Sequence, residues 1–361
     1  MRLGTIAALS ALAVLGACDA KERTATGRAP GERAISFEPV AHLDDAGQPL
    51  LALPERVSVD PKGRFVISDR SDKDVKVYGR DGRRVLTVGR GGRGPGEFAY
   101  LITAQPYGDS LLAYDVAMGR VSIFTGDGRY VRSFVMPRPN PFWVRVVDDS
   151  LFLSIAALPG DTRGNLLRLS RPDGSTVSSF FNQSRYLGND PQLLQNIGVI
   201  ADGGRGVVFA AMGGADSVWA FDYRGRRLGS APIDPTRPLV PVKDLLARNH
   251  GRPRRADGTH VTDGNRDVFE IVALDSGTVA LQVAPYDAKR GIDPLDGGTL
   301  LVTALAGGGR MRTIARTDMV GGLLGRDRAG SALLLRYAGT DGDSYEVVRM
   351  RLHPVTSETP R

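Results

Sequence analysis

Cysteine is nearly absent: Cys18 is the only one in 361 residues. An internal disulfide and a cysteine-built zinc site are therefore excluded. Histidine is scarce, with only His42, His250, His260 and His353 spread along the chain. A histidine cluster for metal-assisted hydrolysis or lyase chemistry is hard to assemble from these. His250 and His260 have no neighbouring cysteine and no Glu-centred zinc motif. Aromatics make up 7% and are not interleaved with the arginines as a nucleic-acid stacking platform requires. No Gly-x-Ser-x-Gly element occurs, which leaves a nucleophile-elbow hydrolase without support. Glycine and proline, by contrast, are abundant, at 45 and 22 residues. Helices tolerate such punctuation poorly, so many turns are expected.

The N-terminal segment reads as an export signal rather than as part of the fold. Arg2 is followed by an uncharged run of 15 residues, 3–17, too short for a membrane span. It ends in Leu15-Gly16-Ala17-Cys18, which resembles a bacterial lipobox. The resemblance implies cleavage before Cys18 and lipidation of its thiol, with acyl chains contributing about 0.8 kcal/mol per buried CH₂. Asp19, next in line, resembles an inner-membrane retention signal, a rule that varies between lineages, so either membrane stays open. Residues 18–33 are polar, small and charged, and read as a flexible tether. The folded domain is expected over 34–356, with 357–361 as a tail.

From residue 56 onward, short apolar runs alternate with turn signals. Val57 and Val59, then 65–67, then Val75, Val77 and Tyr78, then 85–88 form a first set. Strands of this length joined by such turns are antiparallel. The Asp-Gly turn glycines Gly82, Gly128 and Gly174 are 46 residues apart each time, and Gly225 follows 51 later. A period of 40–50 residues with four strands per unit predicts an all-β fold, a six-bladed β-propeller of four-stranded antiparallel sheets. The last unit is one strand short, and residues 35–42 are a spare strand, so this N-terminal strand is expected to close the ring. Seven blades remain the alternative, because 233–267 has room to hide strands.

Residues 54–98 resemble an NHL-type repeat. The resemblance rests on Pro54, Val57, Val59-Asp60, Gly63, Phe65-Val66-Ile67, Ser68-Asp69, Val75, Val77-Tyr78, Gly82 and the Gly94-Pro95-Gly96-Glu97-Phe98 ending. That ending is its most specific part and is similar to exported propeller lipoproteins of the NHL-repeat and TolB-like group. The resemblance implies a ring of sheets serving as a binding platform, with hydrolases and lyases among the relatives.

The candidate motifs mostly read as construction. Gly94 and Gly96 permit tight backbone angles in a linker, Phe98 plugs into the next unit, and Glu97 pairs locally or caps amides. No Gly-Lys-Ser/Thr follows, so a phosphate loop is not indicated. Asp69 and Asp115 occupy similar strand ends and suit a turn-bracing role, accepting backbone hydrogen bonds. Gly128 and Gly174 are read with Gly82 as blade turns. Asp263, Asn265 and Asp267 have the spacing of a calcium loop, but Val268 and Leu274 stand where its glycine and glutamate belong. No cofactor is predicted, calcium being the open alternative. Asp341, Asp343 and Glu346 read as a solvated hairpin turn.

The net charge is +7. Residues 62–93 hold ten Lys or Arg against four Asp and read as a solvated basic face. Arg248, Arg252, Arg254 and Arg255 form a second cluster in a proline-interrupted insertion, 232–267, which breaks the repeat. These four, with Arg185 and Tyr186 in a second long segment, are the candidate partner-binding residues. The leading expectation is a lipid-anchored envelope binding or scaffold protein, monomeric, contacting membrane lipid through Cys18 and an envelope protein or anionic glycan. Nucleic acid is not expected, because the chain is exported. A hydrolase or lyase acting at a channel mouth and a purely structural envelope component are the alternatives. No catalytic residue is singled out.

Overall fold

A computed structural model describes residues 32–48, 51–136, 141–148, 151–155, 164–182, 199–212, 216–234, 240, 242–252, 254–258, 266–285, 295, 298–338 and 344–354. The described residues are built mostly into strands. They are β1 (Ile35–Leu43), β2 (Pro54–Val59), β3 (Phe65–Asp69), β4 (Asp74–Tyr78), β5 (Arg84–Val88), β6 (Arg90–Gly91) and β7 (Glu97–Phe98). Next come β8 (Leu101–Tyr107), β9 (Ser110–Asp115), β10 (Arg120–Thr125) and β11 (Tyr130–Val135). They are followed by β12 (Val144–Asp148), β13 (Leu151–Ile155), β14 (Asn165–Ser170), β15 (Thr176–Asn182), β16 (Val199–Gly204), β17 (Val207–Met212), β18 (Val218–Asp222) and β19 (Arg227–Ala231). After the short helix α1 (Val242–Arg248) run β20 (Arg266–Ala273), β21 (Thr278–Pro285), β22 (Thr299–Ala306), β23 (Arg310–Asp318), β24 (Gly322–Arg326), β25 (Ala332–Ala338) and β26 (Ser344–Leu352). Among the described residues no helix is long and apolar enough to cross a membrane.

Successive strands pair antiparallel because tight turns return the chain on itself. Gly82, Gly128, Gly174 and Gly225 sit in these turns with φ of 84°, 89°, 85° and 82°. A residue with a Cβ is strained there. Strands β3 and β9 are buried along nearly their whole length, so they read as continuous apolar runs, whereas β5 alternates and β11 is largely exposed. Apolar clusters lie in the seams between neighbouring meanders. One joins Val66, Val75 and Phe98 to Leu111 and Phe124. Another joins Phe180 and Phe181 of β15 to Trp219 and Phe221 of β18, with ring centroids 5.2–5.4 Å apart.

The expectation of a β-propeller with six equivalent, separate four-stranded blades is corrected by the sheet topology. The strands hydrogen-bond into two eight-stranded sheets, two four-stranded sheets and the two-residue ribbon β6–β7. One large sheet runs β1-β26-β25-β24-β2-β3-β4-β5, the other β16-β17-β18-β19-β23-β22-β21-β20. The cause is close backbone approach. Strands β24 and β2 meet in a parallel bridge, Val57 opposite Gly325 and Ser58 opposite Arg326. A Cβ at Gly325 would stand 1.7 Å from the Val57 carbonyl oxygen, so only glycine allows this contact. In the second sheet the join is Ser230 opposite Arg310, beside Gly229.

Strand β1 pairs with β26 from Ile35 opposite Leu352 to Leu43 opposite Tyr345. What it edges is this merged sheet rather than a separate last blade. The strands β2, β8, β12, β16, β20 and β24 contact one another in a closed, barrel-like cycle. Side chains from distant parts of the sequence therefore meet at its centre.

Candidate functional site

Two charged clusters with buried members stand out, one within the first meander and one at the centre of the cycle. Asp69 ends β3, and its carboxylate accepts four backbone N–H groups. Ala52 and Leu53 donate at 2.7 and 3.2 Å, and Ser71 and Asp72 at 3.0 and 3.3 Å. Lys76 projects from β4 and is fully buried. Its ammonium donates to Asp69 at 2.5 Å and to Asp72, and lies 3.6 Å from Asp74. The oxygens of Asp69, Asp72 and Asp74 fall within 4.8 Å of one another. That spacing suits one divalent cation. The position between them is held by the Lys76 ammonium, the chain's own cation.

The electrostatics follow from this packing. Burial works against the charge on Asp69, but the Lys76 ammonium and the amides of Ala52 and Asp72 outweigh it and hold its carboxyl below the usual range. Burial likewise opposes the Lys76 charge, and the hydrogen bonds to Asp69 and Asp72 still push its pKa up. Asp74 is different. Burial, reinforced by the negative charges of Asp69 and Asp72, pushes it up to about 6, and its buried Oδ1 has no hydrogen-bond partner. An open cavity of about 400 Å³ lined by Gln48, Asp72, Asp74, Arg84 and Thr87 adjoins it.

A raised folded pKa means that protonated Asp74 favours folding. Its contribution is complete below the ordinary 3.8 and is lost as pH rises through about 6. Asp74→Asn cannot ionise. It is expected to be more stable than the wild type by about 1 kcal/mol at pH 8, after allowance for solvent screening. The gap should close toward pH 4. Melting curves of both proteins across that range check this, and an equal gap at both ends would refute it.

Asp115 repeats the bracing geometry of Asp69. It ends β9 and accepts from Ala99 and Tyr100 at 2.6 and 3.1 Å, the two residues before β8, and from Met118 at 2.9 Å. The glycine-rich linker closes around its own carboxylate. Glu97 accepts from the amides of Gly94 and Arg93 at 2.8 and 3.1 Å and pairs with Arg90 at 2.8 Å. The Gly94 amide, then Arg90, hold its carboxyl below the usual range. Gly96 has φ 75°, and buried Phe98 packs against Phe124 at 6.0 Å. Any anion cradle in this loop is thus filled internally.

The second cluster joins inner strands far apart in sequence. Arg56 comes from β2, Arg145 from β12, Asp202 from β16, Glu270 from β20 and Arg326 from β24. Arg145 donates to Glu270 at 2.7 Å and to the Ile271 carbonyl at 3.0 Å. Arg326 donates to the carbonyls of Ala273 and Gly203, the latter at 3.0 Å. Asp202 accepts from the Ala273 amide at 3.0 Å. Arg56 is held more loosely, 3.6 Å from Asp202 and 3.9 Å from Glu270. Burial, then repulsion from Arg145, pushes its pKa down to about 10 against the opposing pull of Asp202 and Glu270. Burial alone would raise Asp202, but Arg56, Arg326 and Arg145 depress it. Sequence reasoning missed this cluster. The available signal was a charged residue inside an otherwise apolar inner strand, such as Arg56 beside Val57 and Val59.

The remaining candidates are scattered. Arg248 closes α1, and Arg248, Arg252, Arg254 and Arg255 are all exposed. Cys18, Arg185, Tyr186, His260, Asp263, Asn265, Asp341 and Asp343 lie outside the described residues. Asp267 falls within the strand β20, and Val268 and Leu274 are buried. Glu346 pairs with Arg336 across β25 and β26. His42 lies on β1, His250 in the turn after α1 and His353 just past β26, where it bonds Ser36 at 2.7 Å. The described geometry therefore assembles an acidic cluster around buried Asp69, a central charged cluster and buried aromatic patches, which suit a generic binding or structural role.

No family profile matches the chain, and no curated protein does. The fold does have solved neighbours. A Bacteroides fragilis protein described as exported superposes with a TM-score of 0.60 at 11% identity, covering 91% of this chain and 97% of its own. A member of the duf4221 family from Bacteroides vulgatus gives 0.59 at 10% identity, covering 90% and 99%. Lower-scoring neighbours span WD40 repeats, such as those of RRP9 at 0.49 and 12% identity over 88% and 100% of the chains. The resemblance to the NHL-repeat and TolB-like group is corrected by these results. Its motif residues are used here for turns and linkers within merged sheets.

Proposed function

We propose that this chain is an envelope binding protein, tethered by lipid at Cys18 and gripping an acidic partner through the arginines at the end of α1 and just after it. The observation that carries the reading is the exposed cluster Arg248, Arg252, Arg254 and Arg255. Among the described residues, Arg248 and Arg252 have no carboxylate partner, while most other arginines of the sheets are paired or bonded to carbonyls. Guanidinium forks grip carboxylates and phosphates through paired hydrogen bonds. The tether is supported by the uncharged leader ending at Cys18. An extracytoplasmic setting is supported by that leader and by the exported fold neighbour.

The test has two arms. Cys18→Ser is expected to move the protein from the membrane fraction to the soluble one, and mass spectrometry of the mature terminus should find acyl chains on Cys18. In-cell crosslinking should then recover one envelope partner with the wild type. Recovery should fall at least tenfold with Arg252, Arg254 and Arg255 changed to Ser. Equal recovery from both proteins would rule this surface out.

A further inference from the structure

Three exposed bases converge on one turn of the merged sheet. Lys62 lies in the turn between β2 and β3, Arg80 in that between β4 and β5, and Arg328 in that between β24 and β25. The Arg80 Nε donates to the Lys62 carbonyl at 3.0 Å, and Arg328 reaches the Pro61 carbonyl at 3.4 Å. Gly63 admits Arg80 to this position, because a Cβ there would stand 2.3 Å from the Arg80 Nε. Two of the turns fold their acids inward. Asp60 is buried, accepts the amides of Lys62 and Arg64 at 2.9 Å and pairs with Arg64 at 2.7 Å. Asp327 accepts from the Ser331 amide and from Arg349, both at 2.9 Å. Among the described residues no carboxylate pairs with Lys62, Arg80 or Arg328. Asp81 is exposed in the same turn as Arg80, and Arg83 beside it faces Asp44 at 4.0 Å. Three unpaired bases therefore stand against one exposed acid.

The topology sets these turns beside the place where the chain enters the sheet. Strands β2 and β24 run parallel, and antiparallel pairing through β3 and β25 makes β4 and β26 run the same way. The C-terminal ends of β2, β4, β24 and β26 thus share one end of the sheet. Ile35, the first residue of β1, lies opposite Leu352 at that end. Arg33 is bonded there to the carbonyls of Leu352 and His353 at 3.1 and 2.8 Å. We infer that this end of the sheet docks on an anionic bilayer, with Lys62, Arg80 and Arg328 against lipid phosphates. The choice of a bilayer rests on the tether proposed at Cys18. Residues 18–31 reach at most about 50 Å, so a lipid on Cys18 holds this end of the sheet nearer the bilayer than the opposite end. One acyl anchor joined to a basic patch is a combination that gives stable attachment. Each Lys or Arg near an anionic surface strengthens binding roughly fivefold, and guanidiniums match phosphate oxygens through paired hydrogen bonds.

The experiment is co-sedimentation of the mature Cys18→Ser chain, which carries no lipid, with vesicles of phosphatidylglycerol and phosphatidylcholine in equal parts. Vesicles of phosphatidylcholine alone are the parallel sample. Binding to the anionic vesicles is expected to be at least tenfold stronger than to the neutral ones. It should be lost in about 0.5 M sodium chloride, where the Debye length falls to about 4 Å. Changing Lys62, Arg80 and Arg328 together to Gln should weaken it at least tenfold. Lys62→Glu, at one exposed side chain, should do the same without touching the bonds of the two arginines. Lys73→Glu makes the same charge change in the β3–β4 turn, at the opposite end of the sheet, and should stay within about threefold of the parent. The inference is overturned if anionic and neutral vesicles bind alike, or if Lys62→Glu binds as its parent does. Equal losses from Lys62→Glu and Lys73→Glu also overturn it. The result does not depend on acylation of Cys18, which mass spectrometry tests separately, so either reading can fail alone.

Discussion

Replacing Lys76 with methionine is expected to destabilise the protein by about 3–5 kcal/mol, the cost of stranding buried charges without their partner. Methionine matches the lysine stem in length but leaves Asp69 and Asp72 without the ammonium they share. The wild-type contribution depends on both ionisation states. Asp69 has a lowered pKa, so its part is present above the ordinary 3.8 and lost as pH falls through the depressed value. Lys76 has a raised pKa, so its part is present below the ordinary 10.5 and lost as pH climbs through the elevated value. Urea unfolding at pH 7 measures the loss. Millimolar calcium should then raise the melting temperature of Lys76→Met, because three carboxylates within 4.8 Å become open to a divalent ion. It should leave the wild type, with its ammonium in place, unchanged. A variant as stable as the wild type would show that the cluster contributes nothing to folding.

Asp202→Asn is expected to cost a similar amount, about 3–5 kcal/mol at pH 7. Asparagine preserves the shape and can still accept from the Ala273 amide. It removes one of the two charges that hold Arg56, Arg145 and Arg326 together. The carboxyl is held below its ordinary 3.8, so its stabilisation is present above that value and disappears as pH falls through the depressed one. The difference between wild type and variant should therefore be widest near neutrality and shrink in acid. Urea midpoints at several pH values check the trend, and a constant difference would refute it.

The all-β class was legible because apolar runs such as Phe65-Val66-Ile67 and Val85-Leu86 are short and separated by turn signals such as Asp81-Gly82. Positive φ at Gly82, Gly128 and Gly174 is a local demand, and local demands leave marks in sequence. The merging of units into eight-stranded sheets was not legible. It hinges on Gly325, a strand glycine whose importance appears only when Val57 lies against it. Lys76 was hidden for another reason. It sits in a stretch of ten bases and four acids that reads as a solvated face, yet its side chain is buried. Neither composition nor spacing distinguishes a lysine pointing inward from its exposed neighbours. The central cluster draws on residues from Arg56 to Arg326, so no linear motif describes it.

The pairing of β1 with β26 has a consequence for the order of assembly. Ile35 finds its partner only at Leu352, far along the chain. The first of the described strands to be synthesised is thus among the last of them to be satisfied, and contacts of such long range slow folding. Until β26 is delivered, β1 and β25 each present a bare strand edge, the kind of surface that chaperones hold and that aggregates recruit. A chain stalled or cut before Ser344 carries both edges permanently. A copy without β26 therefore differs from the folded one by two uncovered strand edges as well as by the missing strand.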